Sequence, residues 1–310
     1  MIKPKKLQIG DTIGVLSPAS PVNSKKLKRG VLKLKKLGYE VILDKNVLAK
    51  RGFLAGPDKI RANAINRMFA NPQVKAILCS RGGYGTLRLL DLLDYKTIKK
   101  NPKILVGFSD TTALHLAINK KCNLVTFHGP MVAGDFSRLS KYNQTYFLKA
   151  VLQTEPIGKI QNSKRLGNWK VITAGKASGK ILGGNLTLIC RLMGTDYQPD
   201  FKDKILFLED INSEPYQIDS LLAQLHLAGV LDRVKGIVIG EFFNFGSRKL
   251  DYSSLSSRQV FEDYFKGRLY PVIYPVSCGH GKDKITIPLG VKVTIDTYKK
   301  IFSIDEAGVK

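Results

Sequence analysis

Apolar and polar positions along the first half of the chain change period in a regular order. Thr12 to Leu16 is a short run of strand length. Ser24 to Leu37 then places Leu27, Val31, Leu34 and Leu37 at spacings of four, three and three, which predicts an amphipathic helix stopped by Gly38. Tyr39 to Leu43 predicts a second strand, Asp58 to Phe69 a helix introduced by Gly56-Pro57, Val74 to Cys79 a strand, Thr86 to Leu93 a helix, and Lys103 to Phe108 a strand. A further helix opens directly behind it at Asp110 to Ile118. Short strands alternating with helices are the cadence of a parallel, doubly wound sheet, whose ligands bind at the carboxyl ends of the strands.

Beyond about residue 150 the texture changes. Polar, glycine-containing segments from Gln153 to Lys170 precede Lys180 to Leu186, strand-like Lys204 to Leu208, a helix from Ile218 to Ala228, and strand-like Gly236 to Ile239, Val291 to Ile295 and Lys300 to Ile304. The expectation is an α/β protein with a Rossmann-like parallel-sheet N-terminal domain over residues 1–150, a connector over 151–175 and a smaller β-rich C-terminal domain over 176–310.

Charge alters this picture less than its size suggests. Lys+Arg number 50 against 25 Asp+Glu, a formal net charge of +25, and clustered cations would point to nucleic acid. The lysines are scattered, however, and the densest run, Lys25 to Lys36, lies on the polar face of the first predicted helix. The four cysteines, Cys79, Cys122, Cys190 and Cys278, form no CxxC pair, so neither a disulfide framework nor a zinc site is expected. No signal peptide and no apolar run of about 18 residues is visible, which makes a cytoplasmic location the expectation.

Two strand ends carry candidate chemistry. Ser109 stands where Lys103 to Phe108 gives way to a helix, a junction that lifts a hydroxyl clear of the sheet and offers helix N–H groups to an oxyanion. Serine is equally a preferred N-cap, so capping alone accounts for it. The loop Ser80-Arg81-Gly82-Gly83-Tyr84-Gly85 lacks P-loop and GxGxxG spacing and suits a close backbone donor, or simply a turn. Among the histidines, His115 and His226 lie within helices, His128 ends a strand-like segment, and His280 sits between glycines in Ser277 to Lys282, free to meet a nucleophile. Glu209 and Asp210 end the apolar Ile205 to Leu208, and Glu214 follows; any of the three acids could orient an imidazole.

Read in order, Ser80 to Gly85, Gly107 to His115, Phe127 to Met131, Gly183 to Leu186, Phe207 to Asp210 and Gly279 to Gly281 resemble the motif series of the LD-carboxypeptidase family of serine peptidases. The resemblance runs from Gly10-Asp11-Thr12-Ile13 to Pro288-Leu289-Gly290, with Phe108 where the family pattern has tyrosine. It implies a Ser-Glu-His triad of Ser109, Glu209 and His280, and an oxyanion hole from the backbone N–H groups of Gly83 and Asp110. It also implies no metal or organic cofactor, and homodimers. The implied reaction releases terminal D-alanine from muropeptide tetrapeptides in peptidoglycan recycling. Arg81 is the candidate for the substrate carboxylate, with Gly82 and Tyr84 beside it. A microcin-immunity-type peptidase acting on peptidyl-nucleotides would use the same triad, with Trp169 as the candidate aromatic platform. A non-enzymatic, basic polyanion-binding protein is the alternative of another class; neither nucleic acid nor membrane is expected as a partner of the enzyme.

Overall fold

Residues 1–243 and 255–310 are described by the computed structural model. Strands β1 (Thr12–Leu16), β2 (Glu40–Leu43), β3 (Val74–Cys79), β4 (Ile104–Gly107) and β5 (Thr126–His128) alternate with helices α1 (Ser24–Lys36), α2 (Asp58–Ala70), α3 (Tyr95–Lys100) and α4 (Thr112–Cys122). α5 (Lys141–Leu152) leads out of this unit. The second half contains β6 (Gly158–Lys159), β7 (Lys170–Thr173), β8 (Lys176–Asn185), α6 (Leu186–Leu192), β9 (Lys204–Ile211), α7 (Pro215–Leu227), β10 (Gly236–Phe243), α8 (Ser257–Phe265), β11 (Val272–Tyr274), β12 (Ile287–Leu289), β13 (Lys292–Asp296) and β14 (Ile301–Ile304).

The first sheet has the order β12-β5-β4-β3-β1-β2, and β1 to β5 run parallel. Its core strands read as continuous apolar runs because helices cover both faces. α1 buries Leu27 and Leu34 and leaves its lysines in solvent, which disposes of the densest cationic run as a helix face. The second sheet is larger, with eight strands in the order β6-β14-β13-β8-β9-β10-β11-β7. Its centre, β8 to β11, is parallel, and antiparallel strands flank it.

Three differences from the sequence reading have physical causes. The segment after the glycine loop is a 3-10 helix over Thr86–Leu92, anchored where Asp110 holds Thr86 at both its amide and its hydroxyl. The expected connector supplies β6 and β7, strands at opposite edges of the second sheet; an edge strand pairs on one side only, so polar residues suffice. β12 comes from the C-terminal half but pairs antiparallel with β5, so the first sheet is completed from beyond residue 176. All four cysteines are free and buried. Among the described residues, no helix is long and apolar enough to cross a membrane.

Candidate active site

The carboxyl ends of the two parallel sheet centres meet. At this junction the Asn185 amide, at the end of β8, donates to Thr112 Oγ1, at the start of α4, at 3.0 Å. The His128 ring, ending β5, stands edge-on to Phe207 of β9 with centroids 4.8 Å apart.

Ser109 is the one non-glycine residue of this junction's β4–α4 turn forced into left-handed backbone, at φ 64°. A serine there costs on the order of 1 kcal/mol or more and persists because its surroundings over-determine it. The Thr111 hydroxyl donates to Phe108 O at 2.5 Å, His115 Nε2–H to Gly107 O at 2.9 Å, and Thr86 N–H to the buried Asp110 carboxylate at 2.8 Å. Burial raises the Asp110 carboxyl above the ordinary range, opposed by its bonds to Thr86. The capping explanation for Ser109 fails in detail, because no side-chain cap opens this turn or α4.

The glycine loop faces the serine. A Cβ on Gly82 would lie 3.1 Å from Ser109 Cβ, and one on Gly83, at φ +113°, would lie 2.3 Å from Ser20 Oγ. Only glycine backbone approaches so closely. The loop is pinned from beneath by Arg61, which is buried and donates to the carbonyls of Pro18 at 2.5 Å, Gly56 at 3.2 Å and Gly85 at 3.0 Å while pairing with Asp58. Arg81 is exposed and donates to Pro21 O at 3.0 Å, and it enters no ion pair among the described residues. Tyr84 is exposed and packs edge-on to Phe53.

From the second half, the His280 loop reaches over this turn. His280 Nδ1 lies 2.7 Å from Glu209 Oε2, so the carboxylate accepts from Nδ1–H and leaves Nε2 as the basic nitrogen. Glu209 is fully buried in β9. The His280 ring packs edge-on to Phe108, the residue before Ser109, with centroids 5.0 Å apart. The Phe108 ring also takes the buried Lys284 ammonium at 4.8 Å, an apolar and cationic setting that suits phenylalanine. Ser109 and His280 share no hydrogen bond among the described residues, and such bonds commonly tighten when substrate binds.

The other candidates separate cleanly. Asp210 turns the opposite way, accepting from Asn185 Nδ2 at 2.7 Å and from the Thr187 amide and hydroxyl at 3.0 and 2.7 Å, and so holds the start of α6. Glu214 caps α7, its N–H donating to Gln217 Oε1 at 2.8 Å. His115 is buried with its pKa pushed down to about 4 by desolvation, and burial drives His128 well below the ordinary imidazole range. Both are therefore neutral packing groups. His226 is exposed on α7, on the polar side of that helix.

Several groups here carry no obvious sequence signal. Asn143, at the start of α5, donates to Lys282 O at 3.1 Å and accepts from Lys284 N–H at 2.8 Å, while Lys284 pairs with Asp135. Arg165 donates to both oxygens of the buried Glu241, at 2.7 and 2.6 Å, beside the same loop. Asn143 and Asp135 clasp the His280 loop onto the N-terminal unit, and Glu241, held by Arg165, donates its N–H to Cys278 O at the start of that loop. Among the described residues no group of three or more His, Cys, Asp or Glu side chains converges as a metal site would require.

The chain is 39% identical over 314 aligned positions to a probable murein peptide carboxypeptidase of Bacillus subtilis, covering 99% of this chain and 95% of that protein. It is 32% identical to the microcin C7 self-immunity protein MccF of Escherichia coli, over 97% of this chain and 94% of the relative. A solved structure of MccF in complex with glutamyl sulfamoyl guanosine superposes with a TM-score of 0.90 at 28% identity, covering 100% of both chains. The muramoyltetrapeptide carboxypeptidase of Oxalobacter formigenes gives 0.81 at 30% identity, covering 96% of this chain and 98% of that one. With residues 13–129 matching the LD-carboxypeptidase N-terminal domain and residues 178–295 its C-terminal domain, the chain belongs to the LD-carboxypeptidase family.

Proposed function

We propose that the chain is a serine carboxypeptidase that releases the terminal D-alanine of muropeptide tetrapeptides, hydrolysing the bond between the L-centre of the diamino acid and D-alanine during peptidoglycan recycling. The observation that carries this reading is one arrangement: a strained Ser109 at a helix mouth, overhung by an imidazole whose Nδ1 is held by a buried carboxylate. The similarity to a probable murein peptide carboxypeptidase supports the substrate class.

In this mechanism Ser109 Oγ attacks the scissile carbonyl carbon and its proton passes to His280 Nε2. Glu209 holds the ring in the required tautomer and stabilises the imidazolium that forms. The N–H groups of Gly83 and Asp110 receive the tetrahedral oxyanion, and losing one such donor typically costs about 100- to 1000-fold in rate. His280 then protonates the departing amine of D-alanine, leaving an acyl ester on Ser109. Water enters, gives its proton to His280 and attacks the ester, and the tripeptide leaves as the serine regains its proton. Arg81, uncompensated at the rim, pairs with the substrate's free carboxylate, with Gly82 and Tyr84 beside it.

Similarity to MccF supports a second reading, hydrolysis of an aminoacyl-nucleotide by the same residues. Trp169 is its candidate platform, since it lines a cavity of about 570 Å³ whose Asn162 and Ser163 bond to Ser277 in the His280 loop.

The test is incubation with L-Ala-D-Glu-meso-diaminopimelate-D-Ala and, in parallel, with an aminoacyl sulfamoyl nucleoside, followed by mass spectrometry. The wild type is expected to release alanine, and Ser109→Ala to lose about 10⁴-fold or more in kcat. Turnover of the nucleoside alone transfers the assignment to the second reading, and release that survives in Ser109→Ala overturns both. Absence of any turnover together with salt-sensitive binding to nucleic acid is the signature of the polyanion-binding alternative.

A further inference from the structure

We propose that the chain carries a second binding site, for a small phosphate-bearing anion, in a cavity at the end of the fold opposite Ser109. The cavity has a volume of about 520 Å³ and lies between the two units. Its cationic lining comes from Lys120 at the end of α4, Lys180 on β8, Lys204 at the start of β9 and Arg233 beyond α7. This inference does not depend on the peptidase reading.

The register of the second sheet makes the site unusual. Lys180 and Lys204 are direct partners on adjacent parallel strands, and Lys292 is the antiparallel partner of Lys180 on its other side. Direct partners project from the same face about 4.8 Å apart in the pairing direction, so the three lysine side chains leave the sheet from one face. Like charges directly opposite destabilise a sheet. Lys292 enters no ion pair among the described residues; its backbone N–H donates to Glu306 Oε2 at 3.0 Å. Among the described residues Lys120, Lys180, Lys204 and Arg233 enter no ion pair, although nearby Lys3 and Lys235 do, with Glu306 at 2.9 Å and Asp203 at 3.4 Å.

Asp200 is the carboxylate of the cavity lining, and its Oδ1 accepts from Lys202 N–H at 3.0 Å. One side-chain carboxylate faces four side-chain cations. Arg233 is fixed by donating Nε to Gly229 O at 2.9 Å and Nη2 to Ala228 O at 3.3 Å, which presents its planar group without tying up its charge. Lys204 Nζ likewise donates only to a carbonyl, that of Lys202, at 3.0 Å. Lysine point charges with an anchored guanidinium suit a multiply charged phosphate group, and the volume leaves room for an organic body attached to it.

This is not an extension of the substrate cleft. β8 runs from Lys180 to Asn185 and β9 from Lys204 to Glu209, about 16 Å at strand rise, and α4 runs from Thr112 to the cavity along its length. The cavity residues and the candidate catalytic residues are opposite ends of the same three elements.

The test is calorimetric titration of the full chain with inorganic pyrophosphate at fixed ionic strength, with citrate as the polycarboxylate arm. The variants are Lys180→Gln, Lys204→Gln and the double variant, with Lys25→Gln on α1 as the control for general positive charge. Saturable binding of one pyrophosphate, weakened about tenfold by each cavity variant and unchanged in the control, is expected. Removing one of two opposed lysines relieves repulsion, so thermal melting without ligand is expected to hold or rise in the single variants, and Lys120→Gln provides an independent reading off the sheet. The proposal is overturned by absence of saturable binding, by binding that the double variant and Lys120→Gln leave intact, or by citrate binding as tightly as pyrophosphate.

Discussion

The Ser109 turn and the His280 loop face one another but are built in opposite ways. The serine is held mostly by its own neighbourhood: Thr111 bonds to Phe108, His115 to Gly107 and Asp110 to Thr86 within the same unit, while Thr112 behind the turn takes the Asn185 amide. The histidine is held by the rest of the molecule. Glu209 comes from β9, Asn143 from α5, and the loop is braced by Glu241, itself gripped by Arg165. The proposed nucleophile is thus set by local backbone geometry, whereas the proposed base depends on correct assembly of distant segments.

Glu209→Gln is the most severe way to break that contrast. The side chain keeps its shape but no longer stabilises an imidazolium and can favour the wrong tautomer, so kcat is expected to fall about 10⁴-fold with little change in KM. A loss under tenfold in steady-state kinetics would show that the loop needs no buried partner.

A pair of truncations sharpens it. Asp110→Ala leaves the Thr86 amide without its acceptor, and Asn143→Ala frees Lys282 and Lys284; each is expected to cost about 1–3 kcal/mol in denaturant unfolding. Their rates should diverge. Asp110→Ala disturbs the turn that aims the oxyanion donors, so labelling of Ser109 by a small fluorophosphonate should slow with peptide turnover. Asn143→Ala loosens only the far clasp, so turnover should fall about tenfold and recover in Asn143→Gln or at lower temperature. Identical behaviour of the two variants in both assays would mean that turn and loop are one unit.

A separate effect, on stability and not on rate, concerns acid. His115 has its pKa pushed down from 6.5 to about 4 by burial, so between those values the unfolded chain takes up a proton that the folded chain refuses. Unfolding is therefore favoured as pH falls through that window, by up to about 3 kcal/mol from this residue. His115→Asn should flatten the dependence in unfolding titrations between pH 7 and 4; an equally steep slope would assign the acid sensitivity elsewhere, with the equally buried His128 the first place to look.

What the sequence reveals follows the same division. The β4–α4 junction and the glycine loop are legible because strand, turn residues and helix lie within a dozen consecutive positions. The choice among Glu209, Asp210 and Glu214 is not legible locally. Adjacent residues of a strand point to opposite faces, and only the register of β9 against β8 and β10 decides which one meets His280. Arg61 is hidden for another reason: in Asp58-Lys59-Ile60-Arg61 a cation reads as solvent-facing, and only the carbonyls of Pro18, Gly56 and Gly85 make burial tolerable. β6 and β7 escape notice because edge strands need no apolar alternation.

β12 ties these halves together in time as well as in space. Its pairing with β5 closes the edge of the sheet that carries Ser109 with residues made long after β5 itself. A ribosome-bound chain that has finished residues 1–150 still presents β5 as an open edge, inviting association with other strands. The first sheet is therefore not complete in the first half alone, and the proposed site is assembled only when β12 and the His280 loop have joined it.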